Sequence, residues 1–167
     1  MRNLRILTLN AGSSSLKVGL FDAGTPPRRV LAHGVTPIGP READLAPALD
    51  AALAQVDAHG GLSSLRAVGH RVVHGGPRYT SPEHLTPDLL AELRRLAPLD
   101  PDHMPAEIAI IEAMRARAPS VPQIACFDTA FHRTMPRVSR LLPIPLRYAA
   151  QGVERYGFHG LSYTYLT

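Results

Sequence analysis

Four short stretches carry residues whose types and spacing could do chemistry. In the first, Asn10-Ala11-Gly12-Ser13-Ser14-Ser15-Leu16-Lys17, a small-residue loop joins two apolar runs, Leu4 to Leu9 and Leu16 to Phe21. Such a loop leaves backbone N–H groups and hydroxyls free to face an anion. Gly12 allows close approach, Ser13, Ser14 and Ser15 add donors, and Lys17 adds a cation. Asn10 offers an uncharged oxygen to a hydrated Mg2+. The same loop also reads as a polar hairpin turn. It lacks the Gly-x4-Gly-Lys-Ser/Thr spacing of a P-loop and the Gly-x-Gly-x-x-Gly of a dinucleotide loop. In the second stretch, Gly69 to Gly76, Arg71 stands inside a short strand ahead of a glycine pair. Its guanidinium could offer a planar fork to a carboxylate or phosphate, or make a surface ion pair. In the third, Asp128 ends an apolar strand, where sites in α/β sheets gather, or it caps the next helix. In the fourth, Tyr156-Gly157-Phe158-His159-Gly160, small neighbours free an imidazole for a ligand, or His159 is a core-edge histidine bonded to a carbonyl.

The elements that must position these groups follow from periodicity. Leu4–Leu9 and Leu16–Phe21 read as a hairpin, and Arg29–Val35 as a third strand. Leu45, Ala48, Leu49, Ala52, Leu53 and Val56 mark one face of a helix that Gly60-Gly61 ends. Ala67–Val73 is a short strand. Thr86-Pro87-Asp88 starts a helix, with Thr86 as cap, and Leu89, Leu90, Leu93 and Leu96 as its buried face. Pro105–Ala118 is a further helix with Ile108, Ile111 and Met114 inward, and Val121–Phe127 a strand entering Asp128. A proline-rich segment from Met135 to Pro145 leads to the fourth stretch. Ser162 to Thr167 reads as the start of a helix capped by Ser162. Chains seldom stop at such a point, so a longer parent is expected. Strands alternating with helices after an opening meander give the α/β class.

The 167 residues suffice for one domain with its own core. A hydrophobic content of 45% with 19% charged residues marks a globular chain, not a disordered one. The single cysteine, Cys126, excludes an internal disulfide framework and fits a reducing cytoplasm. It reads as a small buried hydrophobe. No apolar run reaches transmembrane length. The net charge of +4 comes from scattered arginines, and aromatic residues are only 5%, so the pattern of a nucleic-acid binder is missing. His33, His59, His84 and His132 show no pattern and read as surface or packing residues. No Cys/His cluster has zinc spacing.

Taken together and in this order, the four stretches resemble the N-terminal half of the acetokinase family, within the actin-like ATPase superfamily. The resemblance spans nearly the whole chain. It implies a ribonuclease-H-like, actin-like ATPase domain over residues 1–167, a mixed sheet with flanking helices. It further implies a second, nucleotide-binding domain that this sequence does not contain. The implied activity moves the γ-phosphate of ATP to a short-chain carboxylate, acetate giving acetyl phosphate, with Mg2+, as part of a longer, homodimeric, cytoplasmic protein. At matching positions, Asn10 resembles the Mg2+-site asparagine, and Ser13, Ser15 and Lys17 the phosphate-side loop. Arg71 resembles the arginine holding the carboxylate and the transferring phosphoryl. Asp128 resembles the essential acid near the metal, and His159 the histidine that stabilises the transition state. Val73 and Phe158 match positions lining the pocket for the substrate's methyl group. Two residues depart from the pattern. Asp102 stands where a pocket leucine is usual and implies a more polar substrate pocket. Tyr163 stands where a second histidine is usual. The alternatives are a non-catalytic module that binds carboxylate or phosphate, and a relative acting on propionate or butyrate.

Overall fold

A computed structural model describes residues 4–12, 14–38 and 44–167. Ser13 lies outside the described residues, as does the side chain of His33. The hairpin forms as its patterning requires. β1 (Arg5–Ala11) and β2 (Ser15–Asp22) pair antiparallel, with Leu7, Leu9, Leu16, Val18 and Leu20 buried and Lys17 turned outward. β3 (Arg28–Pro37) extends the meander, and Arg5 and Arg28 both bond Asp22 at its closing end. α1 (Leu45–Asp57) buries the six residues that its spacing singles out.

The chain then crosses to β4 (Leu65–Val72), which lies parallel to β1. A two-residue edge strand, β5 (Glu83–His84), precedes α2 (Pro87–Leu96). Thr86 caps α2 by accepting the Leu89 N–H at 3.1 Å, and the helix buries its four leucines. α3 (Met104–Arg117) leads into β6 (Gln123–Phe127), parallel to β4. The sheet order is β3-β2-β1-β4-β6-β5. That mixed order, with an antiparallel meander beside parallel strands, is the ribonuclease-H-like arrangement that the resemblance implies.

The core has two parts. β1, β2 and α1 pack with Ile110 and Met114 of α3. The ends of β4 and β6 pack with the leucines of α2 and with Met104, Ile108 and Ile111 of α3. α3 therefore bridges both clusters, which is why it buries more than one stripe.

Beyond β6 the chain holds a 3-10 turn (Ala130–Thr134), then α4 (Arg137–Arg140), α5 (Leu146–Ala150) and α6 (Gly160–Leu166). The proline-rich segment thus contains a short helical turn that its composition does not announce. α6 also starts earlier than its sequence suggests. Ser162 is its third residue, and His159 occupies the N-cap. Among the described residues, no helix is long and apolar enough to cross a membrane.

Candidate active site

The carboxyl ends of β1, β4 and β6 open onto a cavity of about 610 Å³. Its walls include Asn10, Gly12, Ser14, Ser15 and Lys17 from the hairpin, Arg71 from β4, Asp128 after β6, and His159 beside α6. Sheet register explains part of this convergence. Asn10 pairs with Lys17 across the hairpin, and Arg71 pairs with Cys126 across β4 and β6. Leu9 pairs with His70, so Arg71, the next residue, stands beside Asn10. Side chains alternate along a strand, so a row of paired residues shares one face. Val73, Phe158 and Asp102, which the resemblance gives to the substrate pocket, are not among the described residues lining the cavity. Val73 is buried, Phe158 is partly exposed and edges onto His74, and Asp102 is exposed at the surface.

Arg71 is the hub. Its Nε and Nη2 donate to Asp128 Oδ2 at 3.0 and 2.7 Å. Its Nη1 faces Asn10 Oδ1 at 3.5 Å and Glu107 Oε1 at 3.4 Å. Asp128 is 2% exposed, so its charge is held against the guanidinium rather than against water. Its carboxylate does not cap the following turn, whose N-cap, Thr129, makes no side-chain cap bond. The strand ends are tied by backbone as well. Asp128 N–H donates to Val72 C=O, and Gly75 N–H donates to Thr129 Oγ1. Gly75 has to be glycine, because a Cβ there would lie 2.2 Å from the Tyr79 carbonyl oxygen.

Glu107 carries no motif, yet it belongs to this site. It is 2% exposed, and its Oε2 accepts the Val73 N–H at 2.9 Å. Burial raises its carboxyl from the ordinary 4.5 to about 7, against the opposing pull of the Val73 N–H, Arg71 and His103. The signal for it lay in the helix spacing. Glu107, Ile111 and Met114 share one face, so the rule that turns the last two inward turns the acid inward too.

Two histidines near the strand ends are held neutral by burial. His70 donates from Nε2 to Gln123 Oε1 at 2.7 Å, and its pKa falls from 6.5 to about 4. His74 Nδ1 accepts the Gly76 N–H, so its proton sits on Nε2, and burial lowers its pKa. Cys126 is half-buried on the cavity wall, and burial pushes its thiol up, away from a thiolate nucleophile.

His159 is placed by its backbone. It adopts φ 58°, the left-handed region that costs a β-carbon-bearing residue of order 1–2 kcal/mol. What holds it there is the next residue. Gly160 N–H donates to the Asp128 carbonyl oxygen at 2.9 Å, tying the start of α6 to the end of β6. This tether, rather than Ser162, begins the helix. A Cβ on Gly160 would sit 2.1 Å from that oxygen and 2.7 Å from Phe131 Cβ. Gly160→Ala is therefore expected to destabilise the fold by about 1–3 kcal/mol, the scale of forced overpacking. It should also free α6, visible as faster amide exchange over residues 160–166. Unchanged exchange there would show that the tether does not place His159.

No three His, Cys, Asp or Glu side chains converge as a metal cage among the described residues. Asn10 and Asp128 do give the cavity one amide oxygen and one carboxylate. That sparse all-oxygen donor set suits Mg2+, which keeps several waters and takes its remaining ligands from phosphates.

The Acetokinase family profile matches residues 5–167. Acetate kinases of Rhodopseudomonas palustris and Deinococcus radiodurans are 40% and 41% identical, each over 96% of this chain. The matches cover 46% and 45% of those proteins, so the chain spans about half the length of the curated relatives it resembles. Among solved structures, a propionate kinase from Francisella tularensis superposes with a TM-score of 0.81 at 30% identity, over 98% of this chain and 47% of that one. Porphyromonas gingivalis acetate kinase gives a TM-score of 0.77 at 27% identity, over 96% of this chain and 46% of its own. In sequence and in fold, the chain belongs to the acetokinase family.

Proposed function

We propose that this chain supplies the carboxylate and phosphoryl half of a kinase site. As part of a longer protein it would transfer the ATP γ-phosphate to acetate or a similar short acid, giving an acyl phosphate and ADP. The observation that carries this reading is the Arg71–Asp128 pair lining one cavity together with Asn10, Ser15, Lys17 and His159. A carboxylate acceptor, with a reference pKa of roughly 4–5, is already ionised at neutral pH. No general base is needed to ionise that acceptor. The difficulty is instead to bring two anions together and neutralise the charge between them.

The residues divide that work. Ser15 and Lys17 offer a hydroxyl and a cation to the phosphate side. Arg71 gives N–H donors to the acceptor carboxylate and to the phosphoryl oxygens. His159, held beside Asp128 by the Gly160 tether, gives a further donor. Asp128 holds the guanidinium on its Nε and Nη2 edge. Asn10 and Asp128 would hold Mg2+, which when bound neutralises phosphate charge. Val73, Phe158 and Asp102 would meet the substrate only if the cavity extends toward them in the longer protein. Acetate and propionate differ by one methylene, and the similarity to a propionate kinase keeps both acids within the substrate class.

The chain alone is not the complete catalyst on this reading, because in-line transfer needs both substrates aligned and half a cleft cannot align them. The test is hydroxamate trapping of acyl phosphate. The protein that joins this chain to the half its relatives carry should form it from Mg·ATP and two- to four-carbon acids. Absence of acyl phosphate across the whole panel would sink the proposal.

A further inference from the structure

Glu107 breaks a local rule. A carboxylate on the apolar stripe of α3, between Met104 and Ile108, costs several kcal/mol to bury unless its partners compensate. Packing alone would favour a leucine there. Local rules tend to break where function requires it. Resting on the reading of Arg71 as the oxyanion contact, we propose that Glu107 is a positioning residue for Arg71. One carboxylate oxygen is locked on the Val73 N–H while the other fixes the guanidinium's outer amino group.

The geometry of Arg71 shows why such a residue is needed. Nε and Nη2 both close on a single atom, Asp128 Oδ2. A fork gripping one oxygen can pivot about it. Nη1 decides the pivot, and its partners are Glu107 Oε1 and Asn10 Oδ1 at 3.4 and 3.5 Å. Those distances are long, so Nη1 is oriented without being saturated, and an incoming oxyanion can still take a short bond from it. Glu107 is itself buried and held at both oxygens. α3 places its Cα, and the Val73 N–H, two residues beyond Arg71 in the chain, fixes its head at 2.9 Å. A single carboxylate thus ties the backbone leaving β4 to the side chain that β4 presents.

A purely structural role, satisfying the Val73 N–H, makes a different forecast. Glu107→Gln separates the two. Its carbonyl oxygen can still accept from Val73, while the remaining NH2 meets Nη1 donor against donor. In the 15N-labelled 167-residue chain, Val73 amide exchange should stay within ~3-fold of wild type. Arg71 Nε–H exchange should rise at least ~10-fold, because a fork released at Nη1 pivots on Asp128 Oδ2 and opens its Nε bond. Unchanged Arg71 exchange in a folded Gln variant overturns the proposal.

If that variant does not fold, the wild type decides. The groups facing Glu107 are Arg71, His103, Asp128 and the Val73 N–H. The Glu107 13Cδ signal and the Arg71 15Nε signal should titrate with one midpoint, and independent midpoints overturn the proposal. Inorganic phosphate provides the separate control. If phosphate fails to shift the Arg71 15Nε signal, the oxyanion reading of Arg71 fails, whereas the exchange result still decides whether Glu107 holds it.

Discussion

Replacing Arg71 by alanine, in a protein that joins this chain to the half its relatives carry, should lower kcat/KM at least ~100-fold, the scale of losing one preorganised transition-state donor. The expectation follows from what the side chain touches. It lines the cavity, and its guanidinium bonds Asp128 while facing both Asn10 and Glu107. Its removal also leaves Asp128, 2% exposed, as a buried charge without its partner. Arg71→Lys should recover little. An ammonium is a point charge and cannot hold Asp128 through two nitrogens while offering a third to a ligand. The loss should appear in kcat as well as KM, because the charge neutralised is greatest in the transition state. Near wild-type activity in the lysine variant would make Arg71 a structural residue only.

The second large effect is on stability, and it comes from two buried groups with opposite slopes. Glu107 binds its proton more tightly in the folded chain, at about 7, than at the ordinary 4.5. The folded state therefore loses stability as pH rises through that window, by on the order of 3 kcal/mol in all. His70 does the reverse. Its pKa falls from 6.5 to about 4, so the folded state resists protonation and loses stability as pH falls through that window. This loss too is on the order of 3 kcal/mol in all. Between pH 4.5 and 6.5 the two contributions oppose each other. Glu107→Gln should unmask His70, giving a variant that loses about 1.4 kcal/mol per pH unit on acidification relative to wild type. Urea unfolding across pH 4.5 to 7.5 measures it. Parallel curves for the two proteins would show that Glu107 is not the group titrating.

How far the sequence reaches can be judged residue by residue. The meander, α1, α2 and the ends of β4 and β6 were legible because each buries one face, and a single period describes one face. Thr86-Pro87 marked a helix start through local chemistry that the structure keeps. The start of α6 was not legible. A serine at a plausible cap was outcompeted by a tertiary bond, Gly160 N–H to the Asp128 carbonyl, which no local pattern encodes. β5, with two residues on an edge, and α4, one turn long, are too short to show periodicity. Within the cavity, Asn10, Ser15, Lys17, Arg71, Asp128 and His159 come from loops and strand ends with distinctive residue types. Glu107 comes from a helix whose other inward residues are apolar, and its meaning depends on Val73 and Arg71 lying opposite, which only the fold supplies.

Attack of a carboxylate oxygen on the γ-phosphorus is the centre of the account, and isotope transfer tests it most directly. The joined protein would be given Mg·ATP and acetate labelled with 18O in its carboxylate. Hydroxylamine then attacks the acyl carbon of the product and releases phosphate that keeps the bridging oxygen. That phosphate should carry one acetate-derived 18O, seen as an isotope shift in its 31P spectrum. Unlabelled phosphate, formed at the same rate with or without acetate, would mean that water rather than a carboxylate receives the phosphoryl group, and would contradict the account.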